Sequence, residues 1–267
     1  VADDYSQRYF MHLAYRGAPF HGWQEQPDAV SVQSVLEGAL STIAREPVKI
    51  VGAGRTDAGV NARMMVAHFD LHRPVGDLAS MVRGLNTLVG RDIAVYSITP
   101  VHPDAHARFD ATRRTYHYYT SARKSPFFYP LTWLESRNLD FDAMNRAASL
   151  LLETEDFTSF SKLHTDVKTN ICHVSYARWH STPVGHVFVI SADRFLRNMV
   201  RAVVGTLVDV GRGKTGLEDF RRIIEAKDRC SAGTSMPPEA LYLWNVEYDY
   251  WKPDNIGVSG DSRFFDF

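Results

Sequence analysis

The stretch GAGRTDAGV, residues 52–60, sets a single carboxylate, Asp57, inside a glycine-rich loop that follows the short apolar run PVKIV. Glycine-rich loops after strands commonly cradle phosphate, and this one does not have the residues for it. A P-loop requires Lys and Ser/Thr after its second glycine, whereas Val60 and Asn61 follow Gly59. The dinucleotide fingerprint fails as well, because Asp57 stands where its third glycine belongs. An anionic side chain at the centre would also repel phosphate. Read locally, the loop is a strand-to-turn connection in which Asp57 caps a backbone N–H and the glycines supply positive φ. A second reading gives Asp57 chemistry. In extended backbone Arg55 and Asp57 point to the same side, and an acid beside a guanidinium stays ionised, which suits a nucleophile.

Working outward, the chain alternates helical and extended patterns. RYFMHLAYRG (8–17) reads as a strand ending at Gly17, and SVQSVLEGALSTIA (31–44) as a helix with Ser31 as N-cap. PVKIVGA and MMVAHFDL (64–71) are strands, LASMVRGLNTLV a helix and IAVYSITPV a strand, with a boundary near HPDAHA. The second half repeats this grammar. YHYYTSA is a strand, FDAMNRAASLLLE (141–153) a helix, and ICHVSYARW and HVFVISADR pair across a Pro-containing turn. RFLRNMVRAVVGTLVDVG (194–211) reads as one long helix ending on glycine, and ALYLWNVEYDYW as a last strand. The class is α+β, an antiparallel sheet with helices on one face, in two halves at 1–104 and 105–267.

The 267 residues, 45% hydrophobic and 23% charged, suffice for one large or two smaller cores. Cys172 and Cys230 make neither a disulfide framework nor a metal set, and read as reduced thiols. The histidines, among them His68, His106 and His117, lack ligand spacing, so no metal site is expected. VADDYSQRYF carries early acids and no apolar leader core, and no apolar run is long enough for a membrane helix. A cytoplasmic protein is expected. Net charge is −1, but it is unevenly spread. Residues 106–124 set Arg108, Arg113, Arg114, Arg123 and Lys124 against Asp110 alone. Residues 194–214 set Arg194, Arg197, Arg201, Arg212 and Lys214 against Asp209. Two such patches suit a polyanionic partner.

GAGRTDAGVNA resembles the signature G-R-T-D-A-G-V-H-A of the TruA family of tRNA pseudouridine synthases. FHGWQ (20–24), SVQSVLEGAL (31–40), AHARFDATRRTYHY (105–118), DFTSFSK (156–162), FLRNMVRAVVG (195–205) and PPEALYL (237–243) are similar to the family's pattern in the same order. The resemblance implies the pseudouridine synthase fold, with two similar halves and a central catalytic cleft. It implies Asp57 as nucleophile, Tyr116 as the aromatic site residue and Arg201 as the basic partner, with Arg55 beside them in the motif. It also implies a homodimer acting on uridines 38, 39 and 40 of the tRNA anticodon stem-loop. Asn61 stands where the family has His and Ala240 where it has Gly, which puts substrate contacts in doubt more than the reaction.

Such chemistry breaks the N1–C1′ bond, turns the base and joins C5 to C1′. It needs no redox agent or group donor, in keeping with the absence of any cofactor motif. A carboxylate can attack the sugar, or take a proton from it to open a glycal route. A tyrosine can stack on uracil and assist proton removal from C5. Arg113, Arg114 and Arg197 are candidate phosphate contacts, and Trp23 and Gln24, with His21, candidates for packing near the flipped nucleotide. Each has a plainer alternative. Tyr116, Tyr118 and Tyr119 are ordinary strand aromatics, Trp23 a core side chain, and Arg194, Arg197 and Arg201 one solvated helix face. A non-catalytic RNA-binding factor and a glycoside hydrolase are the alternative functions; the latter wants two facing carboxylates where the motifs supply one.

Overall fold

The computed structural model describes residues 6–162 and 169–253. The acidic start of the chain, VADDY, lies outside them. By internal packing, the described residues up to Thr112 and those from Leu243 onward form one compact unit, and Arg113–Tyr242 another. The division is therefore not a single cut at 104/105, since the last strand carries the chain back into the first unit.

The first unit holds β1 (Gln7–Tyr15), α1 (Val32–Ala44), β2 (Ile50–Gly52), β3 (Asn61–Leu71), α2 (Leu78–Leu88) and β4 (Ile93–Val101). β1 lies between β3 and β4, antiparallel to both, and β2 pairs antiparallel with the far half of β3. α1 starts where its sequence says it should: Ser31 is extended, and its side chain accepts the Ser34 N–H while the Ser34 hydroxyl accepts the Ser31 N–H. Nearly every residue of β3 is buried, so it reads as an apolar run rather than an alternation. The core gathers Phe10, Met11, Leu13, Leu36, Leu40, Met65, Val66 and Leu85.

The second unit holds β5 (Arg113–Ser121), β6 (Trp133–Leu134), α3 (Phe141–Ser149), β7 (Val174–Thr182), β8 (Gly185–Ala192), α4 (Met199–Gly211) and α5 (Leu217–Ala226). β8 lies between β5 and β7 and is antiparallel to both; the short β6 runs parallel to β5. β9 (Leu241–Glu247) crosses from this unit into the first. The α+β class is as expected, with β6 making the pairing mixed. Two helical asparagines serve strand backbone in the same way. Asn86 on α2 donates to the carbonyl and accepts the N–H of Val95 in β4, both at 2.8 Å. Asn145 on α3 does so for Trp179 in β7, at 3.3 and 2.8 Å. Each amide supplies the pair of bonds that a further strand would have made. Among the described residues no helix is long and apolar enough to cross a membrane.

The expected helix over 194–211 begins later, at Met199. Asn198 is left-handed (φ 66°), and the Asp193 carboxylate accepts the N–H groups of His173 and Arg194, which fixes the approach as non-helical chain. Arg194 and Arg197 therefore do not share a helix face with Arg201. The second basic patch is also smaller than its sequence suggests. Arg212 bonds the buried Glu135 carboxylate at 2.6 Å, and Lys214 lies 3.7 Å from Asp209.

Glu135 gives a pH prediction. Burial raises its pKa, but hydrogen bonds from Arg137 and Arg212 outweigh that and hold it at about 2. A depressed carboxyl pKa stabilises the fold fully above the unfolded value of 4.5, and that stability is lost as pH falls toward 2. The contribution is on the order of 3 kcal/mol. Glu135→Gln should therefore lower the melting temperature at pH 7 and close the gap to wild type as the pH drops from 5 to 2. An unchanging gap across that range would contradict the assignment.

Candidate active site

The Asp57 loop is built by its neighbours. Upstream, the buried Glu37 of α1 accepts the Ile50 N–H at 3.0 Å and a Lys49 contact at 2.6 Å, so β2 enters the loop from a fixed position. The Ala53 N–H then donates to the Val66 carbonyl at 2.7 Å. Trp23, 3% exposed, lies on Gly52, where a Cβ would come within 2.5 Å of the indole; only glycine admits that approach. The central residue Thr56 is buried and tied twice. Its hydroxyl meets the Tyr15 hydroxyl at 2.8 Å, and its carbonyl accepts the Trp23 N–H at 3.2 Å. Gly22 packs against the same carbonyl with φ +91°, and a Cβ there would stand 2.5 Å from the Thr56 oxygen. Downstream, the Asp57 carbonyl accepts the Val60 N–H at 3.1 Å in a turn through Gly59, whose φ is +82°. Asn61 closes the assembly, its Oδ1 accepting the Gly17 N–H at 2.8 Å.

Asp57 is thus half-buried at the crest of a loop gripped from the FHGWQ segment and from β3. The local reading of the motif needs two corrections. Of its three glycines only Gly59 has positive φ, and the turn is closed by the Asp57 backbone carbonyl. Arg55 is exposed, and no ion pair joins it to Asp57 among the described residues. The Arg55 guanidinium that was to keep Asp57 ionised is therefore not paired with it here. Trp23 is a core side chain holding the loop from within, so it offers no face to a substrate, while Gln24 and His21 are exposed.

The second unit places the other candidates. Tyr116 on β5 sits opposite Ile190 of β8 and is 9% exposed, its ring edge-on to Phe195 with centroids 5.0 Å apart. Tyr118 donates to the Pro237 carbonyl at 3.2 Å, and Tyr119 pairs with His117 and packs edge-on to Tyr242, so these two belong to the core. Arg201 lies in the first turn of α4. Its Nε donates to the Met236 carbonyl at 2.6 Å, and the Met236 N–H donates back to the Arg201 carbonyl at 3.1 Å. Arg114 donates to the Asp193 carbonyl at 2.7 Å, while Arg113 and Arg197 are exposed.

Both departures from the signature have structural explanations. Asn61 is buried in the bond to Gly17, and Ala240 is buried in the turn Pro238–Ala240 ahead of β9. Neither side chain is open to a substrate. Sequence reasoning missed Tyr15, Thr56 and Gly22 as supports of the loop. Their signal was the pairing of FHGWQ with GRTDAG, two motifs that pack on each other in the first unit.

The sequence model of a family described as tRNA pseudouridine synthase matches residues 12–110 and 147–249. The chain is 57% identical over 242 residues to a protein named tRNA pseudouridine synthase A from Parabacteroides distasonis, covering 91% of this chain and 96% of that protein. It is 58% identical to its namesake in Bacteroides thetaiotaomicron, over 91% of each chain. More distantly, it is 39% identical to the protein of that name in Nitrosomonas eutropha, over 89% of this chain and 86% of the other.

Proposed function

The chain belongs to the tRNA pseudouridine synthase family and isomerises uridine to pseudouridine in tRNA; from that premise we propose that Asp57 is the nucleophile and that the uridines are those at positions 38, 39 and 40 of the anticodon stem-loop. The observation that carries the proposal is the grip on the Asp57 loop, a half-buried carboxylate with buried tethers at Thr56 and a glycine-only contact at Gly22. A turn cap does not need such fixing, whereas a nucleophile gains most of its advantage from being held in place.

In the proposed reaction Asp57 acts at the ribose, by attack on C1′ or by taking a proton from the sugar. The N1–C1′ bond breaks and the uracil turns; C5 then bonds to C1′ as the Asp57 carboxylate leaves that carbon or gives back the sugar proton, N1 takes up a proton from solvent, and the C5 proton leaves to solvent. Tyr116 is assigned the uracil ring, with its hydroxyl assisting removal of the C5 proton. Arg201 is assigned a charge-stabilising role toward Asp57, and Arg113, Arg114 and Arg197 are assigned to phosphates. The finer architecture implied by membership, two similar halves with helices on one face and a central catalytic cleft, belongs to the same proposal. So does a cytoplasmic location. Release of tritium from tRNA labelled at uridine C5 tests the reaction directly.

A homodimer completes the reading, since membership of the family implies that one tRNA contacts both subunits. Light scattering at micromolar concentration should give about twice the chain mass. Full activity at the monomer mass would overturn it.

A further inference from the structure

Phe109 is 75% exposed, a large apolar ring held in water, and yet it is not loose. Its N–H donates to His106 Nδ1 at 3.2 Å, and the Arg108 N–H donates to the same nitrogen at 3.1 Å. The phenyl ring stacks on the imidazole, with centroids 4.2 Å apart and planes inclined by 28°. His106 is anchored in turn. Its own N–H donates to Asp110 Oδ2 at 2.7 Å, the Asp110 N–H donates back to its carbonyl at 3.1 Å, and its ring meets His68 edge-on at 4.6 Å. The Asp110 carboxylate is further occupied by the Tyr250 hydroxyl at 2.6 Å. Burial lowers the proton affinity of both imidazoles, that of His68 to about 4. An imidazole accepting two N–H groups at Nδ1 carries its proton on Nε2 and presents a neutral, fixed face to Phe109.

None of the chemistry assigned above uses this column of rings. We propose that Phe109, backed by His106 and flanked by Arg108, is a stacking platform for an unpaired base of the RNA substrate. The proposal rests on the reading of the chain as a tRNA-modifying enzyme and adds to it a recognition element for single-stranded nucleotides. A ring with one face on an imidazole and most of its area in solvent gains by covering the other face with a second aromatic plane. The surroundings suit a base on its phosphate backbone. The Arg108 guanidinium lies over the ring at 5.8 Å from its centre, and the acid next in the chain, Asp110, is already bonded to His106 and Tyr250. Stacking reads no sequence, so the platform would orient a loop nucleotide and leave the choice of uridine to other contacts.

The test uses fluorescence anisotropy with an unmodified tRNA transcript and with a blunt RNA duplex that has no unpaired base. Phe109→Ala should weaken tRNA binding by about ten- to a hundredfold, the range seen when a base-stacking aromatic is removed. Duplex binding should be unchanged, and the slope of log Kd against log salt should stay as in wild type, because no phosphate contact is lost. Arg113→Glu should instead flatten that slope. Phe109→Trp should keep the affinity, and Phe109→Ala should raise KM while kcat is retained. Unchanged tRNA binding by Phe109→Ala would overturn the platform, as would an equal loss on tRNA and duplex. A loss that accompanies a change of mass in light scattering would also overturn it, assigning the ring to a contact between copies. The reading of the reaction fails separately: wild-type protein that binds tRNA through Phe109 but releases no tritium keeps the platform and loses the isomerase.

Discussion

Asp57→Asn is expected to fold as wild type, bind tRNA with nearly unchanged affinity and form no detectable pseudouridine. The amide keeps the size and hydrogen-bonding reach of the carboxylate and removes its charge and nucleophilicity. The loop has tethers that the side chain does not make. Its bonds run from Tyr15 to the Thr56 hydroxyl, from Trp23 to the Thr56 carbonyl and from Val60 to the Asp57 carbonyl, and all survive the substitution. Asparagine also serves well in turns, so a purely structural Asp57 would be replaced with little effect on activity. The two readings therefore differ by the whole of the activity.

The second large effect is expected at Gly22, whose side chain could touch no substrate because it has none. In Gly22→Ala the new Cβ would lie 2.5 Å from the Thr56 carbonyl oxygen, with φ at +91°. Alanine is strained there whatever the space, and backbone atoms cannot turn aside as a flexible side chain can. Thr56 is held at its hydroxyl, so the displacement passes to its neighbour Asp57. Moving a reacting group by about 1 Å costs roughly a hundredfold in rate. Gly22→Ala should lower kcat by that order or more, with tRNA affinity retained and a modest fall in melting temperature. Wild-type kcat in a variant that has folded would mean that the grip on the loop does not position Asp57.

These two positions also mark what was legible in the sequence. Asp57 stood out because a carboxylate is out of place in a phosphate-binding loop, and the motif that carries it is specific. α1 was legible to its first residue, since Ser31 is both a good N-cap and followed at the third position by a partner hydroxyl. β7 and β8 were legible as a hairpin across a Pro-containing turn. What the sequence hid was long-range. The start of α4 was misplaced because a helical period continues through Arg194–Arg197 while the left-handed Asn198 breaks the helix, and nothing in its immediate neighbours announces that. Arg55 looked like the partner of Asp57 because it is two residues away, but the bonds to Thr56 come from Tyr15 and Trp23, far earlier in the chain. Arg212 counted toward a basic patch until its partner Glu135 was known. The short helix α5, Leu217–Ala226, was not read at all, because its acids and arginines mask the one side chain it buries, Phe220. Periodicity and motifs report local structure; the support of a site comes from contacts between segments.

The central claim is that Asp57 acts on the ribose of a tRNA uridine, and tritium release from C5-labelled tRNA tests it most directly when wild type and Asp57→Asn are run side by side. Wild type should release tritium up to the number of target uridines in the anticodon stem-loop, while Asp57→Asn, with the tRNA bound, should release none. Release by Asp57→Asn at a sizeable fraction of the wild-type rate would contradict the account.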